Sequence, residues 1–144
     1  MPHEEALRNA QLFSQLSSKD LNRLGRAVVE RNYKKGETIV KEGEQAVAFF
    51  IIVQGKVDVT QAAGSKKAQT LNALGPGQTF GEMALLDGGP RAATVKALED
   101  TTCLVLSRWD FVAELQTSPH MAVAMLPVLS RRLREVEAKL AATH

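Results

Sequence analysis

Cysteine is nearly absent: the 144 residues hold one, Cys103, so no intramolecular disulfide can form and a reducing compartment fits. Histidine is scarce, with His3, His120 and His144 scattered along the chain, and aromatic residues make up only 5%. Long hydrophobic runs are missing. The longest, residues 46–53, has 8 members, where a membrane-spanning helix needs about 20. Neither sign of charge dominates: 18 Lys and Arg face 16 Asp and Glu, a net +2 that excludes a surface built to coat nucleic acid. The opening Met1-Pro2-His3-Glu4-Glu5 has neither the basic nor the apolar region of a secretion signal. A cytoplasmic chain with no membrane segment is expected. What remains is ordinary for a globular domain, 44% hydrophobic and 24% charged. A chain of this length buries about two thirds of its unfolded surface, enough for a core without covalent staples.

Glycine divides the chain. Nine of ten glycines fall between Gly36 and Gly89, with Gly25 the exception, so a turn-rich middle lies between helix-like ends. At the front, Leu7, Ala10, Leu12, Phe13 and Leu16 recur at helical spacing. Ser17, three residues before Asp20, reads as a capping box opening a second helix through Leu21, Leu24 and Val28. From Tyr33 the runs shorten to strand length, at 38–41, 49–53, 56–60, 69–74, 92–97 and 102–106. Turn residues separate them, among them Lys35-Gly36, Gly55, Gly75-Pro76-Gly77 and Asp87-Gly88-Gly89-Pro90. Lys56-Val57-Asp58-Val59 alternates like a strand with one buried face. Short strands so spaced predict a small antiparallel barrel or roll.

Helical patterning returns after Leu106. Ser107 with Asp110 forms another capping box, opening a short helix through Phe111, Val112 and Leu115. Ser118-Pro119 reads as N-cap and first position of a helix reaching about Ala141, with a kink expected at Pro127. Leu126, Leu129, Leu133, Val136 and Leu140 are spaced 3, 4, 3, 4, a heptad seam of two repeats. Such a seam serves a weak dimer, or packs on the chain's own barrel.

Residues 80–95, Phe80-Gly81-Glu82-Met83-Ala84 onward to Arg91-Ala92-Ala93-Thr94-Val95, carry the chemistry. Gly75, Gly77 and Gly81 allow close backbone approach or positive φ. Glu82 to Leu86 can make one helical turn with free N–H groups. Arg91 offers a planar cationic fork suited to phosphate. Ala92 and Ala93 are small enough to bring backbone N–H groups to a ligand, and Glu82 can accept from sugar hydroxyls. Acid for hydroxyls beside base for phosphate describes a ribose phosphate. A Glu82–Arg91 salt bridge across the turn accounts for the same two residues equally well.

The stretch resembles the phosphate-binding cassette of cyclic nucleotide-binding domains. An upstream segment agrees: Ile39-Val40, Gly43-Glu44, Phe49-Phe50-Ile51-Ile52 and Gly55 are similar to that family's first signature, about 40 residues earlier. The resemblance implies a mainly β fold with flanking α-helices: an eight-stranded antiparallel β-roll, jelly-roll-like, in a single domain. N-terminal helices would occupy 1–30, the roll 31–107 and the C-terminal helices 108–144. It further implies that Glu82 accepts from the ribose 2′-hydroxyl, Gly81 admits the sugar and Arg91 pairs the phosphate. Phe80, Met83, Ala84, Ala92 and Ala93 complete the implied ligand-binding set, with Ala92 and Ala93 supplying backbone donors. Ala92 resembles the residue at this place in regulatory subunits of cyclic-AMP-dependent protein kinase, whereas cyclic-GMP-selective relatives tend to carry Thr. Cyclic AMP is the expected ligand, with cyclic GMP the alternative and no further cofactor. One departure stands out. The positions that meet adenine in the bacterial catabolite activator are Val136 and Glu137 here, not a Thr-Ser pair.

Transcription factors of this family append a helix-turn-helix, which needs at least about 20 residues after the long helix. Only a few follow Leu140, and Arg8, Lys19, Arg23 and Arg26 are balanced by Glu4, Glu5, Asp20 and Glu30. No direct DNA binding is expected, and the chain reads as a stand-alone sensor or the sensor piece of a larger regulator. Its signal would pass through the C-terminal helix to a second copy or a downstream protein. A ligand-free interaction module is the competing reading. Jelly rolls also house metal enzymes, which need clustered ligands. The three histidines lie outside the expected roll and read as solvated or terminal, Cys103 reads as a buried strand residue, and no catalysis is expected.

Overall fold

The computed structural model describes residues 3–62 and 69–142. Eight antiparallel strands form two four-stranded sheets, β1 (Val29–Tyr33), β8 (Thr101–Ser107), β3 (Ala48–Gln54) and β6 (Thr79–Phe80) in one. The other runs β2 (Thr38–Val40), β7 (Thr94–Ala97), β4 (Val57–Gln61) and β5 (Gln69–Leu74). This order is the double-sheet jelly roll expected above. Helices α1 (Glu4–Asn9) and α2 (Ser18–Ala27) precede the roll, α3 (Met83–Leu86) interrupts it, and α4 (Arg108–Thr117) and α5 (His120–Ala142) follow.

The uninterrupted apolar run at 46–53 is explained by β3, which is buried on both faces. Phe49 and Ile51 point into a core shared with the helices, while Ala48, Phe50 and Ile52 point into the roll. β8 divides likewise, Leu104 and Leu106 outward and Cys103 inward. Burial pushes the Cys103 thiol up to about 11, as desolvation disfavours the thiolate. Phe13 joins the layers, edge-on to Phe49 at 5.8 Å and tilted against Phe111 at 6.0 Å.

Two of the three expected N-caps form, the Asp20 N–H donating to Ser17 Oγ at 3.1 Å and the Asp110 N–H to Ser107 Oγ at 3.2 Å. The third does not: α5 begins at His120 rather than Pro119, and the Ser118 hydroxyl accepts from Arg23. Three further expectations are corrected. The Leu7-to-Leu16 pattern is not one helix; α1 stops at Asn9, Ala10 is extended, and a 3-10 turn covers Gln11–Phe13. That break carries Leu7, Leu12, Phe13 and Leu16 into the same core. Strand β7 begins at Thr94, with Ala92 and Ala93 in a bend before it. His120 is not merely solvated: its Nε2 lies 2.9 and 3.0 Å from the two oxygens of buried Asp20. Arg23, one turn on, donates to Glu114 at 3.1 Å and to the buried Ser118 hydroxyl. Two α2 side chains therefore hold the α4–α5 joint, and Ser118 spends its hydroxyl on Arg23.

Helix α5 continues through Pro127. Its first half seats Met121, Met125 and Val128 in the core, and Leu129 packs beside them. Farther along the seam, Leu133, Val136 and Leu140 are 61%, 55% and 57% exposed, and Leu126 is 60% exposed.

Candidate functional site

Between β6 and β7 the chain leaves the sheet, makes the single turn of α3 and returns through a loop ending at Thr94. It encloses a cavity of about 410 Å³. All eight residues expected from sequence line it: Phe80, Gly81, Glu82, Met83, Ala84, Arg91, Ala92 and Ala93. Val40, Ala46, Thr79 and Val95 add to the wall. The upstream signature holds this loop in place. Gly43 N–H donates to the Arg91 carbonyl at 2.9 Å, Arg91 N–H to the Glu44 carbonyl at 2.7 Å, and Ala46 N–H to the Gly89 carbonyl at 3.0 Å. Two segments far apart in sequence thus form one structural unit.

Arg91 is half-buried. Its Nη2 donates to the Ala48 carbonyl at 2.9 Å, and its Cζ sits 5.6 Å from the centroid of the Phe50 ring. Nη1 is buried without a hydrogen-bond partner. Desolvation lowers the guanidinium's pKa, and it remains a cation at any physiological pH. Gly81, at φ +81°, makes room for it: a Cβ there would collide with Nη1 and crowd the Ala48 carbonyl oxygen. Gly75 and Gly77 belong instead to the turn before β6, where Gln78 N–H donates to the Gly75 carbonyl at 3.1 Å.

The Glu82–Arg91 salt bridge left open by the sequence does not form. Glu82 pairs with Arg132 of α5, their side chains 17% and 32% exposed. Arg91 has no carboxylate partner among the described residues. Arg132 is the contact that sequence reasoning missed. No local pattern marks it, because its register on α3 depends on how α5 docks. Val136, four residues on, shares its helix face, whereas Glu137 does not.

One cavity is thus lined by a half-buried guanidinium with no carboxylate partner among the described residues and by the carboxylate of Glu82. The family model of the cyclic nucleotide-binding domain matches residues 30–118. The chain belongs to this family. It is 34% identical over 134 residues to the cyclic AMP receptor protein of Thermus thermophilus, covering 93% of this chain and 62% of the relative. It is 37% identical over 107 residues to human cGMP-dependent protein kinase 2, covering 73% of this chain and 14% of that one. Among solved structures, the N-terminal domain of a transcriptional regulator from Streptomyces coelicolor superimposes with a TM-score of 0.83 at 30% identity, covering 91% of this chain and 94% of the other. The chain spans under two thirds of the length of the receptor protein it matches. It is thus a cyclic nucleotide-binding regulatory domain. Among the described residues no group of three or more His, Cys, Asp or Glu could hold a metal ion, and no helix is long and apolar enough to cross a membrane.

Proposed function

We propose that this domain is a cytoplasmic sensor of cyclic AMP, without catalysis of its own, whose signal leaves through α5. The single observation that carries the ligand is Arg91, a guanidinium lining the cavity with no carboxylate partner among the described residues. A cyclic phosphate supplies the counter-charge that no carboxylate provides, and charge-assisted bonds of this kind are the strong ones. The cavity, about 410 Å³, lies within the range of small-ligand sites. Neither His nor Cys lines it, which favours binding over chemistry. Ala92 presents a methyl group where a hydroxyl would bond guanine, so cyclic AMP is preferred to cyclic GMP.

The ribose 2′-hydroxyl and Arg132 address the same carboxylate, Glu82. Ligand entry changes what Glu82 holds and so repositions the distal half of α5, by an amount set by the ligand's differential affinity for the two arrangements. The exposed seam of α5 then meets a second copy or a downstream protein, and DNA is not contacted by this domain. In this reading the helices over 1–30, the roll over 31–107 and the helices over 108–144 act as a single unit. Calorimetric titration of cyclic AMP and cyclic GMP into the purified chain tests the proposal. Binding with cyclic AMP the tighter ligand supports it, and silence with both returns the chain to a ligand-free interaction module.

A further inference from the structure

The guanidinium of Arg91 has one hydrogen-bond acceptor, the Ala48 carbonyl, and one side of its fork has none. A single bond does not fix a long side chain with several rotatable torsions. The plane of the fork is set by something else. The Phe50 ring lies under it, 5.6 Å from Cζ. That ring is itself immobilised, because Phe50 and Phe80 are direct cross-strand partners on β3 and β6 and stack at 4.7 Å with planes 5° apart. Phe80 faces the cavity and Phe50 does not. Gly81 follows Phe80 immediately and leaves the slot that Nη1 fills. Ala48 and Phe50 fall on the same side of β3. One short stretch of two paired strands therefore supplies the acceptor, the ring and the slot.

We propose that Phe50 is a positioning residue for anion binding: its π face, braced by Phe80, holds the Arg91 fork oriented before a phosphate arrives. The inference rests on the reading of Arg91 as the phosphate group's partner. A ring bearing a guanidinium on its face attracts it through its quadrupole, so the fork is ordered in advance and binding pays less to order it.

The test replaces Phe50 by para-fluoro-, difluoro- and pentafluoro-phenylalanine, which keep the ring's shape while draining its negative face. Cyclic AMP affinity is then read by calorimetry, with the same series at Phe13, whose ring contacts are Phe49 and Phe111, as the control for packing. Affinity should fall stepwise along the Phe50 series by about three- to tenfold in all, with the Phe13 series flat. Phe50→Tyr should retain affinity and Phe50→Leu should lose it. A flat Phe50 series, in a protein where Arg91→Ala weakens binding, overturns this inference alone. A flat series where Arg91→Ala also leaves binding unchanged overturns the site reading beneath it. In the ligand-free wild type the Arg91 side-chain proton resonances should be shifted upfield by the ring. Resonances at ordinary positions would count against the inference whether or not the variants fold.

Discussion

On the roll side of the cavity, Arg91 is fixed by the Ala48 carbonyl, the Phe50 ring, the Gly81 slot and two backbone bonds to the 43–44 loop. On the helix side, α5 lines none of the cavity and is tied to its Glu82 by an ion pair from Arg132. The roll side is held by backbone bonds between the 43–46 and 89–91 segments and by the Ala48 carbonyl of β3, so its geometry is largely formed before a ligand enters. The helix side is one part-buried pair of side chains rather than a network of backbone bonds. In the proposed reading, affinity is stored on the first side and response on the second.

The comparison breaks most sharply at Arg91. Arg91→Ala removes a charge and its paired bonds, on the order of 1.5–3 kcal/mol each, so cyclic AMP affinity should fall by about tenfold or more. The melting transition without ligand should persist, since no ion pair is lost among the described residues. Next comes Glu82→Gln, which keeps shape but weakens the acceptor for the ribose. The wild type should bind cyclic AMP about tenfold better than its 2′-deoxy analogue, and the variant should narrow that gap to a few-fold. Equal discrimination in both proteins would make Glu82 only the anchor of Arg132.

Smaller effects sharpen the contrast. Ala92→Thr offers guanine one neutral hydrogen bond, about 0.5–1.5 kcal/mol, so cyclic GMP affinity should rise by at most about tenfold while cyclic AMP changes little. If the wild type already binds both equally, selectivity lies with the α5 face that carries Val136. Arg132→Ala should have the opposite sign to the other cavity variants. It frees Glu82 for the ribose, so cyclic AMP should bind as well or up to about fivefold better, while the response of α5 to ligand is lost. Weaker binding would show instead that Arg132 belongs to the ligand's own wall.

What the sequence revealed follows the same division. The caps at Ser17 and Ser107 were legible because they are contacts between residues three apart. The eight cavity residues were legible because the cassette is nearly contiguous, so one motif carries most of the wall. Strand β1 was not: Val29-Glu30-Arg31-Asn32-Tyr33 lies on a sheet edge with four of its five residues exposed, and no alternation marks it. The break at Ala10 was hidden because a helix, and a helix ended by a 3-10 turn, bury the same spacing of Leu and Phe. Contacts across the chain were the least legible. Arg132 meets Glu82 from 50 residues away and His120 meets Asp20 from 100. No local pattern encodes where α5 docks.

Amide hydrogen exchange with and without saturating cyclic AMP, on wild type and Arg91→Ala in parallel, tests the division most directly. In the wild type, exchange over residues 129–142 should change on ligand addition while β3 and β8 keep their protection. In Arg91→Ala, at the same ligand concentration, neither region should respond. A ligand effect spread evenly through the roll, or an unmoved α5 in a wild type that binds, would contradict the separation of a fixed binding side from an exchangeable one.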